Sequence, residues 1–210
     1  MFEPVISVAI SDAVLAFSSL FGVFLMAQFR SFEPGRRMPA TVALLAFGLV
    51  AAAAGLGTLR YGFSAIWTEP HRMLYQAANY LSPSLLAAAI AVTVWNWPLR
   101  KQDWGSILLG LMACFELMRR LEWLDTWHLV LSTAALLLMT AAIITRGERK
   151  PTFTAFSLTG VCAYFIGGLV IGTEGKLAGF LRMDLFHYLL ALGNLCIASG
   201  FFHYLRGKSS

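Results

Sequence analysis

The stretch VISVAISDAVLAFSSLFGVFLMAQF, from Val5 to Phe29, decides the fold of this chain. It is apolar almost throughout, and it is long enough to cross a hydrocarbon core of about 30 Å, which needs about 20 apolar residues of helix. Its one ionisable side chain is Asp12. Because a carboxylate is costly inside a bilayer, this residue indicates a functional site as well as a span.

Six further apolar stretches follow the first one along the chain. We predict helices at Val5–Phe29, Pro39–Phe63, Leu74–Trp97, Trp104–Leu121, Trp127–Thr145, Phe153–Thr173 and Asp184–Leu205. In lipid only helices and closed barrels satisfy their own backbone hydrogen bonds, and these runs do not alternate as barrel strands would. The predicted fold is therefore an all-α bundle of seven transmembrane helices. The length of 210 residues leaves room for one such domain, over residues 1–210, and for no separate soluble domain.

The composition agrees with a multi-pass membrane protein. Hydrophobic residues make up 58% of the chain and charged residues only 13%, a balance that excludes an ordinary soluble domain. The net charge of +5 does not indicate a nucleic-acid partner, because the basic residues lie in short loops where they orient the protein. Ten basic residues follow helices one, three, five and seven, against six on the other side. We therefore expect the N-terminus outside and the C-terminus in the cytoplasm.

Two small-residue segments predict close helix packing. The run Ala51–Gly57 lets a neighbouring helix approach helix two, and Gly168-x-x-x-Gly172 is expected to do the same in helix six. Pro83 is expected to kink helix three and to free a backbone carbonyl.

Most ionisable and polar side chains inside the predicted spans lie near one end of the bundle. Asp12, for example, lies about 10 Å inside the outer end of helix one, at 1.5 Å per residue. The layer consists of Asp12, Arg60, Tyr61, Tyr75, Gln76, Asn79, Glu116, Arg119, Arg120, Asp125, His128, Asp184, His187 and, deeper in helix seven, Asn194. Because polar groups in a membrane usually face a cavity or a partner, we expect them to converge on one outer pocket.

Several members of this layer also have simple structural explanations. Glu116 is three and four residues before Arg119 and Arg120, so ion pairs along one helix are geometrically easy. His128 is expected at the interface beside a tryptophan, and His71 in a loop. As ligand-binding candidates we retain Arg60, Tyr61, Tyr75, Asn79, Glu116 and Arg120.

Asp12 and the pair Asp184-x-x-His187 are the candidates for chemistry. The spacing of three residues places Asp184 and His187 on one face of the last helix, where the carboxylate can fix the imidazole tautomer. The free ring nitrogen can then bind a metal or move a proton. We predict Asp12, Asp184 and His187 as catalytic candidates and His187 with Asp184 as metal ligands, which makes zinc a candidate cofactor.

The arrangement resembles the CREST superfamily, which includes alkaline ceramidases and progestin/adiponectin-type receptors. The resemblance rests on seven spans, on Ser11-Asp12-Ala13, on the segment from Gly55 to Phe63, and on the opening of helix seven from Asp184 to Leu190. It implies a zinc-dependent membrane hydrolase with ligands from helices two and seven, aided by a Ser and an Asp. His187 matches one ligand position and Thr58 stands for the Ser, whereas Tyr61 or Gly62 and Met183 or Asp184 occupy the other ligand positions. The resemblance further implies a bacterial branch of the group with incomplete ligand motifs, in a bacterial-type inner membrane.

Three functions remain open at this stage. The first is binding of a lipid-like ligand or a partner in the outer polar cavity, and the second is metal-dependent hydrolysis of a lipid amide or ester. The third is a small proton-linked transporter that uses Asp12 and Glu116. In each case the expected partners are membrane lipids, and self-association is left open.

Overall fold

The computed structural model describes residues 5–146 and 150–206, apart from the side chains of Asp125 and Arg146. Most of this part of the chain is helical, as predicted. Its seven α-helices are α1 (Ile6–Met26), α2 (Arg37–Gly62), α3 (Thr68–Trp95), α4 (Lys101–Arg120), α5 (Leu124–Arg146), α6 (Pro151–Phe165) and α7 (Arg182–Arg206). A π-helix, Ile166–Ile171, continues α6, and a short hairpin, β1 (Lys176–Leu177) and β2 (Phe180–Leu181), connects it to α7.

Six of the described helices are long and apolar enough to cross a membrane. The exception is α4, although its middle is apolar from Ile107 to Phe115. Charged residues at both of its ends, among them Lys101, Asp103 and Glu116, reduce its suitability. The composition of α4 alone therefore does not make it a span.

Helix directions follow from contacts at two levels of each pair. In α1 and α7, Ser11 bonds to Asp184 and, further along both helices, Ser19 accepts from Asn194. The two helices are therefore parallel. The backbone N–H of Val5 donates to the carbonyl of Tyr61 at 2.9 Å, so the start of α1 lies beside the end of α2. Further along α1, Gly22 lies against Phe47 in the first half of α2, so those two helices are antiparallel.

The helices α3 and α5 are also parallel. Near one end the indole of Trp127 donates to the hydroxyl of Tyr80 at 2.8 Å. Near the other end the indole of Trp95 donates to the hydroxyl of Thr145 at 3.0 Å. The second contact is further along both helices than the first, so α3 and α5 point in the same direction. The segment that contains α4 must therefore return the chain from the end of α3 to the start of α5.

Close helix packing uses glycines, but only in part those that the sequence indicated. A Cβ atom on Gly57 would collide with the Asp12 carboxylate, in agreement with the predicted close approach at Ala51–Gly57. The prediction for Gly168-x-x-x-Gly172 was wrong, because a Cβ on either glycine would meet nothing within 4 Å. Instead α6 and α7 meet at Gly160 and Gly193, where an added Cβ would overlap the opposite helix.

The start of α3 differs from its prediction in a way that affects the site. The segment Glu69-Pro70-His71 was predicted as a loop, but it forms the first turn of α3. Proline is compatible with a first helical turn, because the N–H that it lacks would have no partner within the helix. The helix then continues through Pro83 to Trp95.

Two basic side chains cover the C-terminal end of α7. Arg36, from the α1–α2 connection, donates to the carbonyls of Tyr204 at 2.8 Å and Leu205 at 3.2 Å. Lys150, just before α6, lies 4.4 Å from the ring centre of Tyr204. Burial, together with the charge of Arg36, lowers the pKa of Lys150. Cations at this position also interact favourably with the negative, C-terminal end of the helix dipole.

Candidate functional site

Asp12 is held by α1 in the middle of the bundle. Its residue is 3% exposed, and its Oδ2 atom has no hydrogen-bond partner among the described residues. Space for the carboxylate exists because Gly57 of α2 has no side chain. An unpartnered carboxylate oxygen in a buried position is costly, so it indicates a group that the described chain does not supply.

Ser11 joins α1 to α7. Its Oγ donates to Asp184 Oδ1 at 3.0 Å and lies 3.1 Å from His187 Nδ1. The same Oγ also lies 3.0 Å from the carbonyl oxygen of Val8, within α1. Because the one hydroxyl proton is directed to one of these two oxygen acceptors, the imidazole Nδ1–H is left to donate to Oγ. This chain of bonds assigns the neutral His187 its proton on Nδ1 and leaves Nε2 as an acceptor.

His187 also lies beside Asp12. Its Nδ1 atom is 3.5 Å from Asp12 Oδ1, a distance longer than the usual 2.7–3.2 Å of an N–H···O bond. The closer partner of Nδ1 is therefore Ser11. The carboxylate of Asp12 consequently keeps much of its capacity to accept hydrogen bonds.

Arg60 and His71 form a second polar cluster, between the end of α2 and the start of α3. Arg60 Nη1 lies 3.0 Å from His71 Nδ1. A guanidinium only donates, so His71 Nδ1 must accept and the neutral ring carries its proton on Nε2. The guanidinium also stacks 4.7 Å from the ring centre of Tyr61, and the imidazole lies between the rings of Tyr61 and Tyr75.

Both clusters border one cavity of about 650 Å³ that is enclosed by α1, α2, α3, α5, the α6 segment and α7. This volume is within the range of small-molecule sites in proteins. Among the predicted site residues, the lining includes Asp12, Arg60, Tyr61, Tyr75, Asn79, His128 and His187. Apolar side chains form much of the remaining wall, including Leu15, Phe47, Val50, Leu86, Leu136, Leu169, Phe186 and Leu190.

The structure does not bring Glu116 and Arg120 into this cavity. Glu116 forms ion pairs with Arg119 and Arg120, both at 2.8 Å, along α4. The side chains of Glu116 and Arg120 are 42% and 74% exposed. The structural explanation from residue spacing accounts for these three residues. Asp184 does not line the cavity either. It accepts a hydrogen bond from Ser11, which in turn contacts the cavity-lining His187.

A third polar group lies deeper in the bundle, around Asn194, which the sequence analysis included in the polar layer without its partners. The amide nitrogen of Asn194 donates to Ser19 at 2.8 Å, and its carbonyl accepts from the hydroxyl of Tyr164. Asn194 and Tyr164 both border the cavity. The signal was the presence of an amide in an apolar helix, which needs partners inside the protein.

The sequence analysis quoted Ser11 only within the motif Ser11-Asp12-Ala13 and expected His71 in a loop, so it gave neither residue a contact in the site. Because His71 was expected in a loop, its burial and its contact with Arg60 were not anticipated. Ser11 is fully buried beside Asp12, and serine is common enough in membrane helices that its position gave no signal. The spacing of residues within one helix does not predict either contact, because the partner of each residue lies in another helix.

The donor set does not fit a zinc site. Structural and catalytic zinc need at least three protein ligands. Within the described residues, no group of three or more His, Cys, Asp or Glu side chains is arranged to hold a metal. Asp184 is directed to Ser11, which leaves Asp12 and His187 as the carboxylate and imidazole at the cavity.

Ser11 is equally unsuited to be a nucleophile. It is 0% exposed and does not line the cavity, so a substrate in the cavity would not reach its Oγ. Asp12 and Ser11 also approach the same imidazole nitrogen, whereas a catalytic triad uses both nitrogens. The cluster is instead suited to hold His187 and to fix its tautomer.

Comparisons with known proteins give no family for this chain. No family model, no curated protein and no solved structure matches it. The function must therefore be argued from the cavity and its residues.

Proposed function

We propose that this chain is a seven-span membrane protein that binds an amphipathic, lipid-like ligand in its central cavity. The observation that carries the proposal is a cavity of about 650 Å³ whose lining combines charged and polar groups with extensive apolar walls. Such a lining matches a molecule with a polar head and an apolar chain.

The seven-span topology is supported by helix direction. Successive spans alternate in direction, so two parallel spans must be separated by an odd number of crossings. If α1 and α7 both cross the membrane in parallel, the total number of crossings is odd, and six is excluded. The parallel contacts of α3 with α5 support α4 as the additional crossing.

The length and charge pairing of α4 are compatible with this role. Its 20 residues extend about 30 Å, which matches the hydrocarbon core. The ion pairs of Glu116 with Arg119 and Arg120 offset charge near one end, where long side chains can reach the headgroups.

The orientation of the bundle follows from its basic loops. The described basic residues Arg30, Arg36, Arg37, Arg100 and Lys150 lie at the end opposite Arg60 and His71. The positive-inside rule then places the end with Arg60 and His71 outside. As part of the same proposal, the membrane is a bacterial-type inner membrane.

Ligand binding explains the distribution of polar and apolar side chains inside the bundle better than transport does. The half of the bundle towards the basic loops is filled by buried apolar side chains, among them Met26, Met139, Ile143 and Phe201. The described residues therefore provide no evident polar path from the cavity to that side. A ligand site open to the outer half is the simpler use of this interior.

The proposal is tested by filling the cavity. Gly168 borders it, and a Cβ there would meet nothing within 4 Å, so Gly168→Phe places a ring in open cavity space. The matched control is Gly55→Phe, at a glycine that has equal space but does not line the cavity. As probe we would use a lysophosphatidylethanolamine with a diazirine in its acyl chain and map the cross-links by mass spectrometry.

We expect cross-links on α3 and α5 residues of the cavity in the natural sequence and in Gly55→Phe. Gly168→Phe should remove most of them, because the apolar chain no longer fits. Equal labelling of all three proteins at the cavity, or labelling confined to the outer surface of the bundle, would refute ligand binding at this site.

Metal-dependent hydrolysis, as the CREST resemblance implies, is a second candidate. It is favoured by the contacts of Ser11 with Asp184 and His187 and by the approach of His187 to Asp12. Against it stands the donor set, which is short of a zinc site. Zinc measured in the purified protein decides between the two: one equivalent that is lost in His187→Ala supports the hydrolase, and a folded protein without zinc supports binding alone.

A further inference from the structure

Arg60 brings a positive charge into the cavity. Among the side chains that the structure describes, no carboxylate forms an ion pair with Arg60, and its hydrogen-bonding contact is the neutral acceptor His71. The other arginine at the cavity, Arg72, is paired with Glu69 at 2.6 Å. A guanidinium inside a span is costly unless it meets an anion, so Arg60 is suited to receive one from a ligand.

Asp12 presents the opposite requirement. Its Oδ2 is buried and lacks a hydrogen-bond partner in the described part of the chain, and its residue borders the same cavity. His187 approaches the other oxygen, Oδ1, and only at 3.5 Å. Oδ2 lies against Gly57 of α2, so a ligand would approach the carboxylate where the residue borders the cavity. The carboxylate has spare acceptor capacity for an N–H or O–H donor there, and a cationic donor would bind most strongly.

Arg60 and Asp12 attract each other at a distance, but they do not form a contact ion pair. No ion pair joins Arg60 to Asp12, although they lie on the adjacent helices α2 and α1 and border one cavity. A single ligand that bore both charges would neutralise both residues. A purely anionic head would leave Asp12 unpaired, and a purely cationic head would leave Arg60 unpaired.

We propose that the ligand is a zwitterionic amphiphile whose head carries an oxyanion bound by Arg60 and an N–H-bearing ammonium bound by Asp12. This inference rests on the proposed function and names the class of ligand. The apolar walls then receive the chain, and a cavity of about 650 Å³ is suited to a single-chain molecule. His71 acts as a positioning residue, since its Nδ1 holds the guanidinium of Arg60 at the cavity.

The first test is a ligand series on the unmodified chain. Four single-chain probes with the same acyl group are compared in detergent micelles by competition with the photoactivatable probe. Lysophosphatidylethanolamine has phosphate and N–H donors, lysophosphatidylcholine has phosphate and a cation without N–H, lysophosphatidic acid has phosphate alone, and monoacylglycerol has neither charge. We expect lysophosphatidylethanolamine to bind at least about tenfold more tightly than each of the others.

The second test assigns the selectivity to residues. Asp12→Asn should reduce the preference for lysophosphatidylethanolamine over lysophosphatidylcholine to within about twofold, because an uncharged amide replaces the anionic acceptor. Arg60→Gln should weaken the three phosphate probes by about tenfold and leave monoacylglycerol unchanged. The control is Arg119→Gln, which removes an arginine of α4 that lies outside the cavity.

The outcomes separate this inference from the proposed function. Equal affinities for lysophosphatidylethanolamine and lysophosphatidylcholine in the natural sequence would overturn the zwitterion proposal, and this result needs no variant to fold. Unchanged selectivity in a folded Asp12→Asn protein would also overturn the zwitterion proposal. In that case, loss of binding of all probes in Gly168→Phe would still support ligand binding in the cavity. If Gly168→Phe retains every probe, the proposed function itself fails.

Discussion

Gly57 and Asp12 are a matched pair of residues on adjacent helices. The carboxylate occupies the space that a side chain at position 57 would need, as the predicted collision of an added Cβ shows. Two positions away, Gly55 has open space instead. The requirement for glycine at position 57 therefore comes from the buried acid and not from the helix.

We expect Gly57→Ala to lower the free energy of unfolding by about 1–3 kcal/mol, the usual cost of overpacking a tight interior. Gly55→Ala should leave it unchanged or raise it slightly, because alanine favours the helix. Thermal midpoints of the two purified variants in the same detergent measure the difference. Equal midpoints would mean that the Asp12 carboxylate does not rest against α2.

The Asn194 network gives a second prediction for single residues. Asn194→Leu removes a donor from Ser19 and an acceptor from Tyr164, so two buried hydroxyls lose a partner. We expect a loss of about 1–2 kcal/mol, since such bonds in membrane proteins contribute up to about 1.7 kcal/mol each. Reversible unfolding in mixed micelles measures it.

The double variant Asn194→Leu with Tyr164→Phe tests whether the network is real. Because both changes remove the same bond, the combined loss should be smaller than the sum of the single losses. Additive losses would show that the two side chains do not interact.

Individual site residues were predictable from the sequence where a charged side chain in an apolar helix carries a high free-energy cost in the bilayer. Asp12 stood out as a lone carboxylate, and the structure places it at the cavity. The same criterion selected Glu116, but that side chain pairs with Arg119 and Arg120 away from the cavity. Sequence shows which groups are costly, whereas the direction in which each one points depends on how the helices rotate and pack.

At the scale of elements, boundaries explain most of what the sequence analysis missed. The first turn of α3 begins at Thr68, six residues before its prediction, because Pro70 fits a first turn. That turn carries His71 to Arg60. The end of α6 changes to a π-helix at Ile166–Ile171, next to the cavity-lining Gly168, a form that apolar periodicity does not reveal.

The covered end of α7 leads to a prediction about one element. Arg36→Gln removes the charged donor from the carbonyls of Tyr204 and Leu205. We expect the last turn of α7 to open about 1 kcal/mol more easily, which raises its amide exchange rate about fivefold. Hydrogen–deuterium exchange with mass spectrometry resolves this segment.

The control for that prediction lies in the same connection. Arg37 directs its side chain to the carbonyl of Phe32 and not to α7, so Arg37→Gln should leave the exchange of the last turn unchanged. An equal increase in both variants would point to a general effect of charge and would contradict a specific cap.

Lys150 gives the same region a pH dependence. Burial, followed by the charge of Arg36, lowers its pKa from the ordinary value of 10.5. Between the lowered pKa and 10.5 the unfolded chain binds more protons than the folded chain, so stability should rise with pH across that window. Thermal midpoints measured through this window should rise in the natural sequence and lose that component in Lys150→Met. A component of the same size in both proteins would contradict the shift.

At the scale of the whole molecule, composition and arrangement carry different information. Apolar length predicted a helical bundle, and six helices are suited to cross a membrane. A seventh crossing, which we propose for α4, could not be decided from α4 itself, because its charges resemble those of a surface helix. The argument for it needs contacts between distant residues, such as Ser11 with Asp184 and Trp95 with Thr145.

The topology of α4 is therefore the sharpest test of the whole arrangement. In a protein whose three cysteines, Cys114, Cys162 and Cys196, are replaced by alanine, single cysteines are introduced by Gln102→Cys and Glu122→Cys. These positions lie at the first turn of α4 and just beyond its last residue. In sealed cells, a membrane-impermeant maleimide should label position 122 directly and position 102 only after the membrane is permeabilised. Labelling of both positions from one side would mean that α4 does not cross. Since α1 and α7 are parallel, that result would also require that one of the six apolar helices does not span the membrane. It would then contradict the proposed placement of the cavity in the outer half of the membrane.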